Sequence, residues 1–373
     1  MTLIMEKNRF FDRLAAGKLS RREFHRSLAA MGLGAVTTYS FSRPAAAAAG
    51  SDLRFYTWAG YDIPDIMQDY VKKYGTPPTF NLFGGTEEAF QKLQSGFTTD
   101  VAHPCVEDMA RWHKLKMIKK LDTEKLKYWK DIWPELLALP GANIDGEHYI
   151  MPFDWGNGSL LYRSDKVQPE EMSWNLAFDE KYKGQISMYN ATPTVSVAAL
   201  ALGINPYQFS EEDGAKIKAY LMKQRALVRF YWDAPADYQQ AMASGEILIA
   251  YAWNDGLAAM KKQGIPVEYM TPKEGILSWT CGLVHMANAT VPDEQVYDFL
   301  DAMSSPESGK YMIEQYAYGH CNQNAFKLAD QKIISDLGFG SPSTLFQHSV
   351  FETEVSPEMD QRRNKIFEDV KAG

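Results

Sequence analysis

Three cysteines, Cys105, Cys281 and Cys321, with His103 and His320 beside two of them, are the residues whose types could do the most chemistry. Thiolates with imidazoles select zinc, Cu(I) or a thiophilic metalloid. None of the spacings is a Cys-x-x-Cys or other recognised zinc pattern. A nucleophilic cysteine needs an adjacent base and an orienting carboxylate. His103 and Cys105, two apart on one strand, have no third partner in the sequence, and neither Gly-x-Ser-x-Gly nor His-Glu-x-x-His occurs. In an exported chain the same cysteines read as one structural disulfide plus a buried free thiol, or as small residues that shape a pocket. No Gly-x-Gly-x-x-Gly or phosphate-binding Gly-Lys-Ser/Thr is present, so no nucleotide or other cofactor is expected.

A second set of residues could bind rather than react. Strands alternate with helices: 53–58, 79–83 and 100–103 read as strands, with helical spacing over 63–74 and 86–95. The pattern returns at 186–189 and 195–202, and again at 247–252 and 257–263. That alternation implies an α/β protein with mostly parallel sheets and helices on both faces. Ligands of such sheets sit at the carboxyl ends of strands. Trp58 and Tyr61, His103 to Cys105, Asn190 to Pro193, Trp253 to Asp255, Ser278 to Cys281 and Tyr318 to Cys321 take those places. Three tryptophans at strand ends suit a shared cleft.

The N-terminus carries Arg21-Arg22 with Phe24, then a short apolar stretch from Ser27 to about Phe41, Pro44 and an alanine run to Ala49. A basic start, a short apolar segment and a small-residue cleavage site make a signal peptide, and the paired arginines indicate twin-arginine (Tat) export to the periplasm. Without residues 1–49 the chain keeps 31 basic and 44 acidic residues, a net charge of about −13. That excludes nucleic acid and anionic membrane surfaces as partners. Some 324 residues remain, which implies two domains.

From Leu53 onward the chain resembles the spermidine/putrescine-binding family of periplasmic solute-binding proteins of ABC importers. The resemblance rests on Phe55-Tyr56-Thr57-Trp58-Ala59-Gly60-Tyr61, Asp100 to Cys105, Met117 to Asp122, Tyr149 to Gly156, Ala252-Trp253-Asn254, Pro272 to Gly275 and Trp279. It implies two lobes joined by hinge strands, one of about 51–154 plus 279–325, the other of 155–278 plus 326–373. It also implies a small solute held between them, an inner-membrane permease as partner, a monomer, and no catalysis. Trp58, Tyr61, Trp253 and Trp279 then supply rings to a polyamine-like cation.

The acidic positions of that family are not acidic here. Asn190 and Pro193 stand before the second-lobe helix, and Cys281 stands two after Trp279. Glu107, Asp154 or Asp255 could return a carboxylate, with Asn190, Cys105 and Cys281 tuning the site; Asp154 could equally hold hinge amides. Gln347 falls near a ligand-contacting glutamine of the family. By the resemblance all three cysteines lie on cleft-facing loops of the first lobe, with His103 and His320 flanking two of them, which is the basis for the alternative of a soft-metal site of Cys105, Cys281, Cys321, His103 and His320. Residues 352–371 read as an amphipathic surface helix.

Overall fold

The computed structural model describes residues 52–339 and 342–373. The expected export signal at 1–49 lies outside them. In chain order the strands are β1 (Arg54–Trp58), β2 (Thr79–Phe83), β3 (Val101–Ala102), β4 (Met151–Arg163), β5 (Ile186–Tyr189) and β6 (Val228–Trp232). They continue as β7 (Ile249–Trp253), β8 (Val267–Tyr269), β9 (Ile276–His285), β10 (Gly319–His320) and β11 (Ser349–Phe351). The main path runs β2-β1-β3-β9-β4-β7-β5-β6. Its outer parts are parallel, β1 with β2 and β3, β5 with β6 and β7. Its centre is antiparallel, because β4 pairs with both β7 and β9.

β4 explains this arrangement. Its thirteen residues MPFDWGNGSLLYR are buried at every position but the last. A strand covered on both faces must be nearly continuous in apolar or small residues. Its first half packs with Leu53, Phe55, Phe153, Trp155 and Phe299 in one core. Its second half packs with Leu160, Trp174, Trp232 and Tyr251 in another. Together with β9 it carries the chain from one core to the other.

The C-terminal part divides its packing. Ile334, Leu337, Phe339 and Phe346 bury in the first core. The helix Pro357–Ala372, capped by Ser356, buries Ile366, Phe367 and Val370 against Ile217 and Leu221 on the helix Glu211–Arg225. The amphipathic helix expected at 352–371 thus starts five residues later and is half buried, since Phe351 belongs to β11 and Glu352 bonds through its amide to Ser278 O at 2.8 Å. Among the described residues no helix is long and apolar enough to cross a membrane.

One buried carboxylate fixes the first sheet. Asp100 accepts from Arg54 Nε and Nη2 at 3.0 Å each, from the Arg54 amide at 2.8 Å and from the Thr290 amide at 2.7 Å. Burial alone would raise its pKa, but these donors hold it at about 2. A carboxylate with a depressed folded pKa adds stability above its unfolded pKa and loses it as pH falls through the folded one. Asp100→Asn is therefore expected to cost about 2–3 kcal/mol at pH 7, with the gap to wild type closing between about pH 4 and pH 2 in denaturant titrations. A constant gap across that range would remove the assignment.

Candidate functional site

β4 carries two glycines, each facing an aromatic side chain. A Cβ on Gly156 would lie 2.5 Å from the Trp279 ring, and one on Gly158 would lie 1.8 Å from the Tyr251 hydroxyl. Only glycine lets these rings lie flat on the strand. Gly156 is opposite Trp279 of β9, and Gly158 is opposite Trp253 at the end of β7. The two tryptophans therefore flank the same short stretch of β4.

Beyond Trp279 an aromatic wall continues. The Trp279 ring meets Tyr318 edge-on at 5.0 Å, Tyr318 lies 6.5 Å from Tyr316, and Tyr316 lies 5.5 Å from Tyr61. Tyr316 ends a π-helical turn, Met312–Tyr316, and Ala317 follows in the left-handed region at φ 59°. Backbone of that kind costs about 1 kcal/mol and persists where surrounding packing imposes it. Here it delivers Tyr316 and Tyr318 to the same wall.

Asp255 sits in the first turn of the helix Asn254–Lys262, directly after Trp253. Its Oδ1 is buried without a hydrogen-bond partner. Removal from water raises its pKa. The charge in turn raises the hydroxyl pKa values of Tyr238 and Tyr318, on which burial acts most strongly. A carboxylate with a buried, unpartnered oxygen, within electrostatic reach of tyrosine side chains, is chemically suited to an ammonium group.

A second group of charges lies past Trp253. Trp253 meets Tyr189 at 5.1 Å. Burial raises the Tyr189 hydroxyl pKa, with the Glu352 charge adding to it. Glu352 follows β11 and sits within electrostatic reach of Glu107, whose Oε2 is buried and unpartnered. Burial raises the pKa of both carboxyls; the Glu352 charge adds to the rise at Glu107, and the Asp108 charge adds to it at Glu352. Arg363 partly offsets this at Glu352.

The cysteine and histidine readings resolve in favour of structure. Cys105 and Cys281 are joined in a disulfide, across a β-bridge between the same two residues. Cys321 is a buried free thiol whose pKa is pushed well up by burial and then by the Asp154 charge. His103 has Nδ1 on Thr57 Oγ1 at 2.9 Å and Nε2 on Asp154 Oδ1 at 3.1 Å. His320 donates from Nε2 to Met303 O and accepts the Asn322 amide on Nδ1; burial holds its pKa at about 4, so it is neutral. Every donor of the soft-metal alternative is thus bonded, protonated or engaged elsewhere. A cysteine nucleophile fails for the same reason. Among the described residues no group of three or more metal-ligating side chains occurs.

Other expected residues fall as follows. Tyr61 is 7% exposed, and its hydroxyl donates to Asp154, so Asp154 serves Tyr61 and His103 rather than hinge amides. Trp58 packs on Phe83 at 4.7 Å with its indole N–H buried and unpartnered. Asn190 donates to Asp233 at 2.8 Å, leaving a buried Oδ1 without a donor. Trp279 and Cys281 lie inside β9 rather than at a strand end. Gln347 is exposed. Tyr238, Glu352 and Arg363 were not legible as site residues. Tyr318 lies in a loop that was singled out, but Glu352 and Arg363 reach the site only through the return of the C-terminal chain.

Comparison with known proteins is consistent along nearly the whole chain. Residues 65–337 match a family described as bacterial extracellular solute-binding protein. The putrescine/agmatine-binding protein of Pseudomonas aeruginosa is 26% identical over 371 residues, covering 93% of this chain and 100% of its own. The putrescine-binding periplasmic protein PotF of Escherichia coli is 26% identical over 349 residues, covering 88% and 93%. The spermidine/putrescine transporter substrate-binding protein PotD of Streptococcus pneumoniae has the same two-lobed fold, with a TM-score of 0.75 at 19% identity, covering 86% of this chain and 98% of that one.

Proposed function

Because the chain belongs to the bacterial extracellular solute-binding protein family, we propose that it captures a polyamine-like organic cation in an interlobe cleft and delivers it to an ABC permease of the inner membrane. The observation that carries the ligand class is the Asp255 carboxylate, whose Oδ1 is buried and unpartnered directly after Trp253 and within electrostatic reach of Tyr238 and Tyr318. Homologues whose names give putrescine or agmatine as ligand support the same class. Contacts come from Trp58, Tyr61, Trp253 and Trp279, with Glu107, Asn190 and Asp255 supplying polarity. The disulfide between Cys105 and Cys281 holds the cleft floor. The lobes comprise about 51–154 plus 279–325 and 155–278 plus the C-terminal segment, although residues up to Phe346 bury in the first core.

The protein acts by binding and closure, without turnover, so affinity depends on cleft contacts and on the open–closed equilibrium. Tat export of a folded monomer to the periplasm, directed by Arg21-Arg22, completes the reading. The test is a calorimetric titration of the purified protein with putrescine, spermidine, betaine and γ-aminobutyrate. Putrescine and spermidine are expected to bind, and the two zwitterions, each with a single positive charge, to bind weakly. Trp253→Ala should weaken putrescine by about 10- to 30-fold, the loss of about 1.5–2 kcal/mol of desolvated ring–cation attraction. Equal binding by γ-aminobutyrate, or indifference to Trp253→Ala, would remove the polyamine-like reading.

A further inference from the structure

We propose that Asp154 is a specificity-determining residue that acts through Tyr61, whose ring takes the second ammonium group of a diamine. This rests on the organic-cation reading above and says how the chain receives the positive charge that Asp255 does not.

The first reason is position. Asp154 lies on β4 two residues before Gly156 and four before Gly158. Side chains along a strand alternate, so Asp154 shares the face of those glycines, about 7 Å from Gly156. That is the face on which the Trp279 ring lies, since a Cβ on Gly156 would meet it. Between these positions the pairing with β9 runs without a shift, Gly156 opposite Trp279 and Asp154 opposite Cys281. The carboxylate is therefore close to the aromatic wall. The same wall reaches Tyr61, 5.5 Å from Tyr316.

The second reason is how the carboxylate is bonded. Tyr61 OH donates to Oδ2, and His103 Nε2 lies 3.1 Å from Oδ1. His103 Nδ1 meets Thr57 Oγ1 at 2.9 Å, which fixes the imidazole. Asp154, His103 and Thr57 are at most 1% exposed, and Tyr61 is 7% exposed. Among the described residues no lysine or arginine bonds to Asp154. A carboxylate buried with a hydroxyl and an imidazole for partners keeps a charge that a nearby cation would offset.

The third reason is what this bonding does to Tyr61. Its hydroxyl points at Asp154, so the ring rather than the oxygen is left for a ligand. The His103 ring meets it edge-on at 5.0 Å and holds it in place. A phenol that donates to a carboxylate is polarised towards phenolate, and its ring face becomes more negative. Such a face holds an ammonium group more strongly. A hydroxyl whose proton is already committed also has none to give a ligand carboxylate, which turns the site against acids. Burial raises the Tyr318 hydroxyl pKa, and the Asp255 and Asp154 charges add to it. Tyr318 is thus within electrostatic reach of both acidic groups, the unpartnered Asp255 and the Asp154 behind Tyr61.

The experiment titrates putrescine and butylamine into wild type, Asp154→Asn, Tyr61→Phe and the double variant by calorimetry. In wild type putrescine binds more tightly than butylamine. Asp154→Asn is expected to weaken putrescine about 10-fold and butylamine less than about 2-fold, the loss of one polarised ring–cation contact. In the Tyr61→Phe background the same change should cost less than about 2-fold, because the route from carboxylate to ring is already gone. A loss shared equally by both amines would mean distortion of the fold, and an equal loss in both backgrounds would mean direct charge attraction. Either result overturns the proposal. If Asp154→Asn does not fold, Tyr61→Phe decides. A preference for putrescine reduced about 5- to 10-fold supports the route through the ring, and an unchanged preference overturns it. If all these variants keep wild-type affinity while Asp255→Asn weakens binding, the inference is wrong and the cation reading stands. If wild type binds neither amine, the cation reading itself fails and the inference falls with it.

Discussion

Replacing Cys105 and Cys281 together with serine is expected to cost about 5 kcal/mol of stability and leave the fold intact below its new midpoint. The disulfide closes a segment with a sequence separation of 176 residues. Cross-linking so long a loop removes about 5 kcal/mol of chain entropy from the unfolded state at 25 °C. The hydroxyls add little further cost, because both positions are small and lie at a strand end and within β9. For a chain of this size the loss corresponds to roughly 10 °C in melting temperature. The wild type melted with and without a reductant should show the same drop, and the double variant should ignore the reductant. The buried Cys321 thiol should react with a thiol reagent only on unfolding. A change under about 1 kcal/mol in the double variant would show that the bond contributes no constraint.

Asp255→Asn is expected to move affinity and stability in opposite directions. The asparagine keeps the shape and loses the charge. A hydrogen bond between charged groups is worth about 1.5–3 kcal/mol, so putrescine affinity should fall about 10- to 150-fold. In unliganded protein the carboxylate is a buried charge with a free oxygen, and burial raises its pKa. Its contribution is therefore favourable while protonated and lost as pH rises through that pKa. The variant lacks this loss, so at pH 7.5 it should melt above wild type, and the difference should shrink toward pH 4. Lower affinity with lower stability would mean that Asp255 holds structure rather than ligand.

Both experiments bear on the same question, whether the cleft is polar by necessity or by accident of folding. The disulfide is a scaffold decision within one sheet system. Asp255 keeps a buried oxygen without a partner, and under the proposed function a ligand cation turns that cost into affinity.

Much of the frame follows from local sequence alone. Alternating runs such as Arg54–Trp58, Thr79–Phe83 and Ile186–Tyr189 are strands wherever they are placed, because a strand's period and a β-rich composition act over five residues. The helix after β7 began at Asn254 rather than near Leu257, which is a capping detail decided by the end of the strand. The tryptophans at 58 and 253 stand at strand ends for the same local reason. The resemblance to polyamine binders was likewise carried by short motifs in order.

What the tertiary structure decided is of another kind. Whether Cys105 meets Cys281 or a metal depends on β3 and β9 being antiparallel neighbours, although the two cysteines are 176 residues apart in sequence. Ser278 to Cys281 read as a strand end; their burial inside β9 comes from β4 beside them, a strand with no alternation to betray it because both its faces are covered. Asp154 was assigned to ligand or hinge and instead serves Tyr61 and His103, which only folding brings to it. Glu352 and Arg363 have no local signature at all. The burial of Arg363 and the half-burial of Glu352 come from the return of the C-terminal chain, and a pattern over a few residues cannot supply the partners.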